Sequence, residues 1–96
     1  MSDLIFSKHA QLKIHERRID KDLLVKVIEK PEFLFYDLFS KSMIAIGKVV
    51  IQGNDTYLVI PFIKEGASTK VITVYPCKEI QKEIDKKEGK RWIRVK

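Results

Sequence analysis

Pro31 divides the chain into two stretches of different chemistry, and that division limits the folds open to it. Proline lacks the amide donor that a continuing helix needs, and it pushes the preceding residue out of helical geometry. Ahead of it, Leu23, Leu24, Val27 and Ile28 recur at i, i+1, i+4 and i+5, which defines one apolar helical face, with Asp20 as the N-cap. Behind it, from Glu32 onward, aromatic and β-branched residues take over. The spacing therefore predicts a helix that stops near Lys30 and a sheet after it.

An earlier helix is expected over residues 8–18, with the Ser7 hydroxyl capping its first turn. Strands are expected over 33–38, 43–52, 56–63 and 69–75, separated by Ser40-Lys41-Ser42, Gly53-Asn54-Asp55 and a turn over 64–68. Pro61 cannot donate to a ladder and marks an edge or a bulge, while Pro76 stops the last strand. Short connections between strands of similar length predict an antiparallel meander. The expected fold class is α+β: two N-terminal helices packed on one face of a four-stranded sheet, in a RelE-like layout, and a short C-terminal helix marked by Ile80 and Ile84. With 96 residues, a single domain spanning 1–96 is expected, ending in a basic, partly ordered tail over 86–96. Asp37 and Lys48 interrupt apolar runs and are expected to face solvent.

Cys77 is the one cysteine, so no internal disulfide can form, and no Cys/His spacing suggests a zinc site. The segment Met1-Ser2-Asp3-Leu4 places no basic region before an apolar run, and the apolar stretches have strand length. The expected location is the cytoplasm, with no membrane partner. Phosphate-binding glycine loops and nucleophile elbows are absent, which argues against nucleotide and ester hydrolysis.

Nineteen Lys and Arg against thirteen Asp and Glu give a net charge of +6, a sizeable positive field for a small chain. On the first helix, His9, Lys13 and Arg17 fall at i, i+4 and i+8 and form one polar stripe, with Glu16 in the same sector. Leu12 and Ile14 point to opposite sides, so hydrophobicity anchors this helix weakly. An imidazole beside fixed cations suits phosphodiester cleavage, in which the ring exchanges protons and the cations stabilise charge growing on phosphorus. RNA supplies its own 2′-hydroxyl nucleophile, so this chemistry calls for no metal or other cofactor. In that scheme His9 is the acid or base, and Lys13 and Arg17 bind the phosphate. The plainer alternative is an exposed first-turn histidine on a solvated helix. His15 lies on a different side of the helix, and Glu16 either shares a proton with His9 or pairs with a neighbouring cation. Strict alternation along 69–75 assigns Ile72 and Val74 to the core and places Thr73 and Tyr75 on the opposite face, where Tyr75 stacks on a base, donates a proton or simply rests against a neighbour. In the tail, Arg91, Trp92 and Arg94 interleave cations with an aromatic ring, a composition that holds single-stranded nucleic acid or, for Trp92, packs back on the domain. Lys8 and Arg18 complete the basic set on the first helix and are expected, like Arg91, Trp92 and Arg94, to bind nucleic acid.

Lys8-His9-Ala10 followed by Glu16-Arg17-Arg18-Ile19, an acid-capped second helix, Pro31, and the late run Val71-Ile72-Thr73-Val74-Tyr75 together resemble a prokaryotic domain family of unknown function grouped with RelE, ParE and BrnT type toxins. The resemblance covers about residues 5–80. The family usually has Arg where this chain has Lys13, a change that keeps charge but gives up bidentate geometry. The resemblance implies a metal-independent ribonuclease of a toxin and antitoxin pair and points to His9, Lys13, Arg17, Thr73 and Tyr75, with His9, Lys13, Arg17 and Tyr75 expected to be catalytic and Thr73 to bind nucleic acid. It also implies RNA, a cognate antitoxin protein and the ribosome as partners. A non-catalytic nucleic-acid-binding or protein-binding module on the same fold is the alternative.

Overall fold

The computed structural model describes residues 3–96. In chain order these form β1 (Asp3–Phe6), α1 (Lys8–Arg17), α2 (Lys21–Glu29), β2 (Phe33–Asp37), β3 (Ser42–Ile51), β4 (Asn54–Glu65), β5 (Ser68–Val71), β6 (Tyr75–Cys77), α3 (Ile80–Lys87) and β7 (Trp92–Arg94). The fold is α+β, as the pattern about Pro31 requires. Its sheet runs β1-β5-β4-β3-β2-β7, with β6 also paired to β4. All pairings are antiparallel except β1 with β5.

α1 and α2 start at their expected N-caps, Ser7 and Asp20. The Asp20 carboxylate accepts from the Asp22 amide at 2.9 Å, Leu24 and Val27 are buried, and α2 gives way two residues before Pro31. Ser7 Oγ accepts from the Ala10 amide at 3.0 Å to start α1. The end of α1 is a Schellman closure: the Ile19 amide donates to the Ile14 carbonyl and the Arg18 amide to that of His15, with Arg18 at φ 52°.

The four-stranded meander under two helices needs three corrections. First, the sheet is covered on both faces. Leu58, Ile60 and Phe62 of β4 point toward α1 and α2, joining Ala10, Ile14, Leu24 and Val27 in one core. Val59 lies on the other side with Phe35, Ile44, Ile46, Ile80, Ile84 and Trp92, under α3. This alternation is the period-2 pattern of a strand buried on both sides. Second, short edge strands flank the meander. β1 precedes α1 and pairs with β5, and β7 pairs with β2, so residues 86–96 contribute a helical turn and a strand where a partly ordered tail was expected.

Third, the expected strand over 69–75 is broken. Val71 pairs with Phe62 and Tyr75 with Val59, so three residues on one strand oppose two on β4. The extra residue is a bulge opposite Ile60 and Pro61, which Pro61 foreshadowed. The Ile72 amide closes it by donating to the Pro61 carbonyl at 2.9 Å. A bulge reverses the side-chain parity beyond it. Val71 and Val74 consequently both enter the α1/α2 core, while Tyr75 and Cys77 pack beneath α3.

Asp37, expected to face solvent, is 3% exposed; Lys48 is exposed as expected. The β3–β4 hairpin turns on Gln52 and Gly53, at φ 50° and 78°, which is the two-residue primed geometry. The turn thus sits one to two residues earlier than Gly53-Asn54-Asp55.

Candidate nucleic-acid interface

The register of α1 is fixed by the two small or branched residues it buries, Ala10 and Ile14. With these turned to the sheet, His9 and Arg17 are exposed and Lys13 is half-buried along one flank. Two anchors define what lies beside that flank. At the start of α1, the Ser7 amide donates to the Val71 carbonyl at 3.0 Å and the Ser7 hydroxyl to that of Ile72 at 2.6 Å. At its end, Arg17 shares a cavity of about 260 Å³ with Pro76 and Lys78. Residues 72–78 therefore run alongside α1, and half-buried Thr73 falls within that stretch.

Glu16 pairs with Lys13 at 3.6 Å, which realises the cation-pairing alternative. His15 and Arg18 lie on the opposite flank, lining a shallow depression with Gln11 and Lys21. Lys8 is exposed in the first turn.

Tyr75 is not on this flank. Its hydroxyl lies under α3, donating to Glu83 Oε2 at 3.2 Å, and the same carboxylate oxygen accepts from Lys87 Nζ at 2.8 Å. Burial first, and then the Glu83 charge and hydrogen bond, push the phenol far above its ordinary pKa. The proton stays on Tyr75 at neutral pH, held by Glu83. Burial likewise raises the nearby Cys77 thiol, in keeping with an inert cysteine.

The cations and ring of the C-terminal segment are engaged in the fold. Arg91 holds Asp37 through Nε at 3.2 Å and an outer nitrogen at 2.7 Å, and Trp92 Nε1 donates to the same carboxylate at 3.3 Å. The Trp92 ring stacks on Phe35 with centroids 5.1 Å apart. Arg94 forms a two-pronged pair with Glu88 at 2.9 and 3.0 Å. Arg91, Trp92 and Arg94 thus secure β7 against β2 and α3, the packing alternative for Trp92.

Compared with known proteins, the chain matches no family model, no curated protein and no solved structure. Its chemistry is therefore read from its own geometry. Among the described residues no cluster of three His, Cys, Asp or Glu is placed to hold a metal ion, and no helix is long and apolar enough to cross a membrane.

The flank of α1 carries an exposed imidazole in its first turn and Lys13 one turn on, and about 12 Å from His9 along the axis it carries Arg17, which shares a cavity with a further cation, Lys78, of the adjacent segment. Three further residues line the cavity at its end: Gln52, Asn54 and Thr56. Sequence reasoning passed over all four. Gln52 and Asn54 belong to the β3–β4 turn, which only the long hairpin brings to the end of α1. Lys78 follows the bulge, and no periodicity in the sequence shows on which side of it the chain emerges.

Proposed function

We propose that this chain is a toxin-type RNA-binding domain that cleaves RNA without a metal ion, using the His9, Lys13 and Arg17 flank of α1. The observation carrying this reading is the register of that helix: burial of Ala10 and Ile14 leaves His9 and Arg17 exposed and Lys13 half-buried on one flank. In the reaction, His9 removes the 2′-hydroxyl proton as the 2′-oxygen attacks phosphorus. The bond from phosphorus to the 5′-oxygen then breaks, and that oxygen leaves with a proton returned by the imidazolium or by water. Lys13 and Arg17 neutralise the charge on the phosphoryl oxygens as the attack develops. The cytoplasm as its location, a cognate antitoxin protein over the cationic flank and action at the ribosome belong to the same proposal.

A non-catalytic binding module is the second reading, and one observation favours it. Tyr75 lies on the other face of the sheet, so the scheme loses the second proton carrier assigned to it. Incubation of the purified chain with labelled RNA, with and without EDTA and ribosomes, separates the two. Cleavage that survives EDTA and disappears in His9→Ala, while binding persists, is the expected result. Salt-sensitive binding with no cleavage under any of these conditions would establish the second reading instead.

A further inference from the structure

We propose that the cavity where α1 meets the β3–β4 hairpin is a nucleotide subsite: Arg17 and Lys78 hold one phosphate of a single-stranded RNA, and the Gln52 and Asn54 side-chain amides hydrogen-bond to the adjoining base. The inference rests on the RNA-binding reading of α1 and adds to it the place where sequence is read.

Charge is the first argument. Lys13, Lys82, Lys87, Arg91 and Arg94 each lie within ion-pair distance of a carboxylate. Among the described residues no such ion pair engages Arg17 or Lys78; other concavities also hold unpaired cations, Arg18 with Lys21 and Lys26 with Lys30, but a carboxylate, Glu16 or Glu32, lines each of those, whereas none lines the cavity of about 260 Å³ that Arg17 and Lys78 share. Two unpaired cations at one concavity repel each other, and an anion between them removes that repulsion. A helix C-terminus would ordinarily oppose an anion, but the Schellman closure of α1 already occupies the Ile14 and His15 carbonyls.

The second argument is the neutral lining. Ile51 and Pro76 supply apolar wall, while Gln52, Asn54 and Thr56 supply amides and a hydroxyl. Side-chain amides carry both donors and acceptors, the complement of a base edge. Asn54 Nδ2 spends one donor on the Gln52 carbonyl at 3.3 Å, which holds the Asn54 amide in place and leaves its oxygen as an acceptor.

The third argument is Gln52 itself, at φ 50° in a turn position where Gly or Asn costs least. A long amide in a left-handed conformation runs against local preference, and such conflicts concentrate at functional sites. Its substitution by Gly relieves the turn, so the variant remains folded while losing the amide.

The test is binding of a short fluorescein-labelled single-stranded RNA, followed by anisotropy across a salt series, together with amide NMR titrations of the four ribonucleoside 5′-monophosphates and of inorganic phosphate. Lys78→Ala is expected to weaken RNA binding by roughly tenfold and to lower the salt slope by about one. Gln52→Gly is expected to alter the ranking of the four nucleotides and to leave inorganic phosphate unaffected. If wild type binds RNA and neither variant changes binding, the subsite is refuted and the α1 reading stands. If the cavity takes inorganic phosphate but ranks all four nucleotides equally, the base-reading role is overturned. If wild type binds no RNA, both readings fall.

Discussion

Asp37→Asn removes one charge from the most heavily hydrogen-bonded carboxylate among the described residues, and its cost can be worked from the contacts. Burial by itself would raise the Asp37 pKa, but the Arg91 hydrogen bonds, the Phe39 and Ser40 amides and the Arg91 charge outweigh it and bring the group from 3.8 to about 2. At 1.36 kcal/mol per pH unit this shift corresponds to about 2.5 kcal/mol of folding stability. An asparagine amide also turns an N–H toward the Arg91 and Trp92 donors. Arg91 can swing toward water, its side chain being a third exposed, but Trp92 is 1% exposed, and its orphaned N–H costs about 1–3 kcal/mol. The expected loss at pH 7 is about 4 kcal/mol, a large share of what a domain this size possesses. The sign with pH follows from a folded-state pKa below the unfolded one. The contribution is fully present above about pH 4 and fades as pH falls through about 2, so the gap between wild type and variant narrows over that interval. Urea unfolding followed by fluorescence of the single, buried Trp92 reads this directly. A loss under about 1 kcal/mol at pH 7, or a loss equally large near pH 2.5, would refute the account.

Gly47→Ala would place a Cβ 2.9 Å from Val27 Cγ2, and it is expected to destabilise by about 1–3 kcal/mol in urea melts. Adding Val27→Ala should make the two changes strongly non-additive; simple additivity would show that the contact is not the cause. Arg18→Gly relieves the left-handed cap of α1 and is expected to raise Tm by several degrees in calorimetry; no gain would mean that the cap carries no strain. Tyr75→Phe removes the hydroxyl bound to Glu83 and is expected to cost about 1 kcal/mol of stability while leaving RNA cleavage and binding unchanged. A selective loss of RNA cleavage with normal stability would return Tyr75 to the catalytic set.

What the sequence made legible was whatever local chemistry decides. Asp20 and Pro31 delimit α2 because capping and the missing proline donor act within a few residues, and Ser7 starts α1 for the same reason. The two edge strands were illegible because their partners are remote: Asp3–Phe6 becomes a strand only beside β5, and Trp92–Arg94 only beside β2. Asp37 looked like a solvent-facing break in an apolar run. Its burial depends on Arg91 and Trp92 folding back to supply donors, which no window around residue 37 contains. Among the candidate residues, the stripe of His9, Lys13 and Arg17 followed from helical geometry alone, whereas Lys78, Gln52 and Asn54 meet Arg17 only through tertiary contact.

The bulge at Pro61 is where the local and the long-range parts of the problem meet, because one extra residue there decides which layer each later side chain serves. Without it, alternation from Val71 would carry Thr73 and Tyr75 to one face together. With it, Val74 takes a core position beside α1, Tyr75 goes under α3 to meet Glu83, and the segment leaves along α1 to bring Lys78 to Arg17. The same displacement that removes Tyr75 from the cationic flank therefore supplies that flank with its third cation. A phenol that keeps its proton far above neutral pH is poorly suited to exchange it, and in its layer it serves better as a fixed donor. In the proposed cleavage the proton chemistry of the flank would then fall to His9, with Lys78 as an added phosphate-binding cation. The layer that each residue of 71–77 serves is thus set by one extra residue opposite Ile60 and Pro61, across from a β4 that itself runs unbroken from Asn54 to Glu65.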